Sequence, residues 1–115
     1  MRGAIAMLTI FMILLVGMGS ARGVTSGNEL YELLTSESLY SQYTGDSYIL
    51  GVIHTTDSIN KVWHLPVRWA IPPGVTKGQI YEAVKQYLEK HPEMRNDTAY
   101  GLVINALGKA FPPKK

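Results

Sequence analysis

The sequence predicts an all-α, single-domain bundle of about four helices, with a long loop between helices 2 and 3. Three observations carry that expectation. Apolar residues recur at helical spacing in two stretches of the second half, Ile80 to Leu88 and Ala99 to Ala110. Helix-start and helix-stop residues bracket both stretches: Thr76 and Pro92 for the first, Asn96-Asp97 and Pro112-Pro113 for the second. Between residues 60 and 75 no period holds, and Pro66, Pro72 and Pro73 each lack the amide that a helix or a central strand would use.

The chain has 115 residues, enough for one domain. Its first part reads as an export signal. Met1-Arg2 makes a short positive start, and the apolar run "AIAMLTIFMILLV" follows. That run is shorter than the roughly 20 residues a membrane span needs. "GMGSARG" then offers small residues for cleavage after Ala21 or Gly23. Residues 1–21 are therefore expected to be a secretory signal peptide, and residues 22–115 the helical domain. With no cysteine in the sequence, thiol catalysis, thiolate metal sites and disulfides are all excluded. The formal net charge of +2 comes without a basic stripe, which argues against nucleic acid as a partner.

The elements follow in order. "SGNELYELLTSESLYSQYTGD" opens on a cap candidate, Ser26 or Asn28. Leu30, Leu33, Leu34, Leu39, Tyr40 and Tyr43 lie near helical spacing, Thr35-Ser36 is a candidate break, and Gly45 is the expected end. A second helix is expected from Asp46 on, with Tyr48, Ile49, Val52 and Ile53 on one face, although its β-branched content also suits a strand. In the loop, Trp63, Leu65, Val67, Trp69 and Ile71 alternate, the pattern of a short extended segment. The third helix starts with a capping box, Thr76 and Gln79, in which each side chain satisfies the other's orphan amide. Ile80, Val84, Tyr87 and Leu88 then form its stripe. In the fourth, capped by Asn96 or Asp97, Ala99, Leu102, Val103, Ala106, Leu107 and Ala110 face inward. Its small residues suit a close helix contact and a homodimer.

No set of residues assembles a catalytic or metal site. His54 and Asp57, three apart, resemble a base and its orienter, but no nucleophile elbow accompanies them. His54, His64 and Asp57 match no metal-ligand spacing, and His91 sits where a helix C-terminus favours a cation. The expectation is a protein that is not an enzyme and uses no cofactor or metal. The loop remains. Trp63, His64, Arg68 and Trp69, with Lys61 beside them, are of the types that dominate binding hot spots, and they are the expected partner-binding residues.

The string "AIPPGVTKGQIYEAVKQYLEKHPEMRNDTAYGLVINALGKAFP" resembles the Rap/Tai family of type VI secretion immunity proteins. Ile71, Pro72, Gly74, Val75, Thr76, Gln79, Tyr87, Leu88, His91, Pro92, Glu93, Ala106, Leu107, Ala110, Phe111 and Pro112 match the family's pattern in order, and "YILGV" matches upstream. Gly45, Ala70 and Pro113 stand where the family often has cysteine. The resemblance implies a helical periplasmic protein, often dimeric, that binds a peptidoglycan amidase effector and plugs its catalytic cleft. The rival reading is a periplasmic chaperone-like or stress-response domain.

Overall fold

The computed structural model describes residues 24–114. The signal peptide expected over residues 1–21 lies outside the described residues. Within them the chain forms four α-helices: α1 (Gly27–Thr35), α2 (Leu39–Trp63), α3 (Lys77–Lys90) and α4 (Ala99–Ala110), with a 3-10 turn (Pro92–Met94) between the last two. No strand occurs among the described residues; the one β-like contact is an isolated antiparallel bridge between Ser26 and Thr98. The all-α expectation holds, and the alternation from Trp63 to Ile71 makes no strand.

The core forms where the stripes meet. Leu30 and Leu34 of α1, Ile49, Val52 and Ile53 of α2, Ile80, Val84 and Leu88 of α3, and Leu102, Val103, Ala106 and Leu107 of α4 are all buried. Two of these stripes, on α3 and α4, are legible in the sequence as they stand, apart from Ala110, which is exposed. At the start of α3 the Thr76 hydroxyl accepts from the Gln79 amide at 3.1 Å, and the Gln79 carbonyl oxygen accepts from the Thr76 amide at 2.9 Å. Before it, Val75 N–H donates to Pro72 O, and Gly74 has φ of 92°. Proline followed by a positive-φ glycine is the signature of a type II turn, so Pro72-Pro73-Gly74 delivers the chain into the cap already bent.

The division between α1 and α2 differs from the expectation. The candidate break at Thr35-Ser36 is where the first helix ends, and the expected stop at Gly45 is not one, since the next helix runs through it. Ser38 caps α2 by accepting from Ser41 N–H, Ser36 Oγ accepts from Ser38 N–H, and Gln42 Nε2 donates to Ser36 O at 2.6 Å. These short side chains satisfy amides that a continuous helix would have used. Gly45 has a packing role instead. A Cβ there would stand 2.9 Å from Leu34 Cδ2 and 3.3 Å from Leu33 Cβ, so α1 and α2 cross closely only because Gly45 has no side chain. Leu39, Tyr40 and Tyr43, placed in a stripe by the sequence, are exposed at 80, 81 and 71 %.

The cap of α4 also differs. Thr98, not Asn96 or Asp97, holds the N-cap position and makes no side-chain cap bond. The terminus is capped across the fold. Ala99 N–H donates to Thr25 O at 3.0 Å, while Gly27 and Asn28 N–H donate to Asp97 O and Arg95 O at 3.0 and 2.8 Å. Each helix start thus supplies backbone acceptors for the other, which satisfies orphan amides on both. Asn96 is occupied by Asn28, whose Nδ2 donates to its Oδ1 at 2.9 Å. Arg95 locks the corner, with Nε donating to Leu88 O and its guanidinium 4.0 Å over the Tyr31 ring.

Candidate functional site

Helix α2 is long for this domain. Its 25 residues span about 37 Å at 1.5 Å per residue. Its buried residues run only from Gly45 to Thr56. Beyond Thr56 the same face continues: Ile59, Asn60 and Trp63 follow at the i+3 and i+4 spacing that Ile49, Val52, Ile53 and Thr56 set. Asn60 is half-buried there, while the apolar side chains on either side of it stay open. Ile59 is 42 % exposed and Trp63 71 %, with Val62 and then Leu65 and Val67 of the loop exposed beside them. An apolar stripe that outruns its own core is where a partner surface is expected.

The end of α2 is built with strain. His64 terminates the helix in the left-handed region, at φ 54° and ψ 39°, and its N–H and that of Leu65 both donate to Asn60 O. Glycine is the usual residue at this position because a Cβ there costs about 1–2 kcal/mol. From His64 the chain turns over the end of the bundle and is tied down a few residues on. Trp69 is 4 % exposed and belongs to the core. Ala70 N–H donates to Phe111 O at 3.0 Å. The Arg68 carbonyl lies against Gly108, where a Cβ would stand 3.3 Å from it.

The four residues expected at the partner surface therefore separate. Trp63 is exposed, but it closes α2 and does not belong to the loop. His64 and Arg68 are exposed in the connection. Trp69 does not present its ring; it anchors the loop from inside. Sequence reasoning passed over Ile59, whose signal was continuation of the α2 stripe past the residues that could be covered, and Val62, which lies beside that stripe on the same overhang. Lys61, exposed on the last turn of α2, completes the group.

The other candidates do not assemble. His54 and Asp57 are both exposed, and no ion pair joins them. Among the described residues no group of three or more His, Asp or Glu side chains is placed to hold a metal ion. A hollow of about 600 Å³ opens between α1 and the start of α2, lined by Val24, Glu29, Leu33, Ser36 and Thr44 among others, away from the end of α2. Of its lining, Glu29 Oε1 accepts from Thr25 Oγ1 at 2.7 Å, and the Thr35 and Thr44 hydroxyls donate to the backbone carbonyls of Tyr31 and Tyr40. On α2, burial raises the Asp46 carboxyl above its ordinary value, and burial followed by the nearby Tyr100 raises the Tyr48 phenol. The buried Thr56 hydroxyl is paired with Tyr100 OH at 2.9 Å. These are packing effects, and they bring no nucleophile to a base.

The small residues of α4, expected to face a second copy, are largely used within the chain. Ala99 and Ala106 are fully packed. No helix among the described residues is long and apolar enough to cross a membrane.

The sequence model of the Rap1a immunity proteins matches residues 26–113, from the N-cap of α1 to beyond the end of α4. No curated protein matches the chain.

Proposed function

The chain belongs to the Rap1a immunity protein family, and from that premise we propose that it is a periplasmic immunity protein of a type VI secretion system. It is exported by its first 21 residues. It binds a peptidoglycan amidase effector and blocks its active site by occlusion, without chemistry of its own. The blocking element is the overhang of α2 with the first part of the loop: Ile59, Val62, Trp63, His64, Leu65, Val67 and Arg68.

The observation that supports this reading best is the uncovered continuation of the α2 stripe. Side chains that would cost nothing to make polar are apolar there, and they stand on a helix already fixed by its buried half. A pre-ordered projection loses little entropy on binding. The anchoring of Trp69, Ala70 and Arg68 fixes the far end of the loop in the same way. The exposed Leu39, Tyr40 and Tyr43 at the other bare end of α2 are the surface we assign to a homodimer. Sedimentation of the Tyr40→Ser and Tyr43→Ser double variant tests that placement, with a fall from dimer to monomer expected.

The decisive experiment is protection. Co-expression of the full chain with candidate periplasmic amidases is expected to rescue growth against one of them, and Trp63→Ala is expected to weaken the rescue. Survival against none of the amidases encoded beside it defeats the proposal. Equal suppression of aggregation for many unrelated clients, with no selective rescue, favours the chaperone-like reading instead.

A further inference from the structure

The apolar overhang has a ring of charge with a single dominant sign. Lys61 lies on its last turn, Arg68 in the loop, and Lys109 directly follows the glycine against which the Arg68 carbonyl packs; Lys114 is at the same end of α4. All four are exposed, and the acid nearest them in the chain is Asp57, one turn before Lys61. Among the described residues none of these cations is in an ion pair; the one that forms is His91 with Glu93, elsewhere. Three of the nine acids lie at the opposite end of α4, with Arg95 among them. Glu29, Glu93 and Asp97 surround the corner where α1 and α4 cap each other. Along the 12 residues of α4 the two ends are about 18 Å apart. That is about twice the screening length of ~8 Å at physiological ionic strength. Asp57 offsets one charge, and a partner approaching the overhang meets the remaining cations, which the distant carboxylates do not offset.

We propose that the surface receiving this end is a groove with an apolar floor and a rim of carboxylates on the effector. Ile59 and Trp63 of the stripe, with Val62 beside them, seat on the floor. Lys61, Arg68 and Lys109 face the rim, where they speed encounter and fix orientation more than they add to final affinity. His64, the remaining titratable group at the tip, faces the same rim. The inference rests on the immunity reading and adds the chemistry of the partner to it.

The test is the association rate of the full chain with the effector it neutralises in co-expression, followed by stopped flow. Raising salt from about 50 to about 300 mM is expected to slow association roughly tenfold, and the pair Lys61→Glu with Arg68→Glu to slow it roughly tenfold at low salt. Dissociation is expected to change less than about twofold. The control Glu37→Lys, in the break that precedes α2 and so at the other end of that helix, is expected to leave both rates alone, and unchanged thermal unfolding checks that the variants fold. A complex that forms at a rate indifferent to salt and to charge reversal overturns the acidic rim while leaving the immunity reading intact. Failure to find any effector that binds overturns both. Phosphatidylglycerol vesicles are the remaining arm: a blue shift of Trp63 emission in a Trp69→Phe background, with salt-indifferent effector binding, reassigns the patch to a lipid surface and overturns the proposal.

Discussion

Two tryptophans six positions apart in the chain have opposite surroundings. Trp69 is 4 % exposed and Trp63 71 %. They share composition, neighbours of similar type and the same proline-rich context, so nothing local separates them. What separates them is reach. The chain returns to the bundle at Trp69, where Ala70 bonds to Phe111, while Trp63 lies two turns beyond the last buried residue of α2. One indole is packed in the core; the other is left uncovered. The lesson is that a hot-spot residue type marks a site only when the fold leaves it uncovered.

The largest expected effect breaks the comparison on the inner side. Trp69→Ala removes a buried indole and is expected to cost about 3–5 kcal/mol of stability, measured by chemical denaturation. Trp63→Ala, by contrast, is expected to change stability by less than about 0.5 kcal/mol, the usual range for an exposed site. Its effect falls on binding: a loss of about 2 kcal/mol, roughly thirtyfold in Kd, measured by calorimetry against the effector. Equal stability losses for the two would erase the distinction.

A smaller effect tests the part of α2 that is packed. Tyr100→Phe leaves the buried Thr56 hydroxyl without its partner and is expected to cost about 1 kcal/mol. Thermal unfolding reads it directly, and an unchanged midpoint would show that the pair contributes nothing.

His64→Gly sharpens the comparison from the other direction. It relieves the left-handed strain at the end of α2 and is expected to stabilise the free protein by up to about 1 kcal/mol. If the imidazole meets the partner, the same variant binds less tightly. Opposite signs for stability and affinity would mark a position kept for binding at the expense of folding. Matching signs would reduce His64 to a helix terminator.

The smallest expected effect is at the far corner. Thr25, through its hydroxyl and its amide, holds the Glu29 carboxyl below its ordinary value. A depressed folded pKa stabilises the fold above the unfolded value and loses that contribution as the pH falls through the folded one. The loss therefore lies below about pH 4.3, the ordinary glutamate value, and is small because the group is exposed. Thr25→Ala should raise the Glu29 titration midpoint followed by NMR, without altering effector binding.

Much of this molecule is written within five-residue windows. Ser26 as the cap of α1, the Thr76–Gln79 box, the stripe of Ile80, Val84 and Leu88, and that of Ala99 to Leu107 are all set by neighbours at i+3 and i+4, which is the geometry of the helix itself. Those signals fixed the all-α class and the positions of α3 and α4, and the order of matched residues pointed to the family. The tertiary structure decided what depends on residues far apart. Gly45 looks like a helix stop until Leu33 and Leu34 are brought against it. Asn96 looks like a cap until Asn28 claims it and backbone from α1 caps α4 instead. Which indole is buried, and how far α2 outruns its core, follow from how much surface the other helices can cover, a quantity that no local window of residues contains.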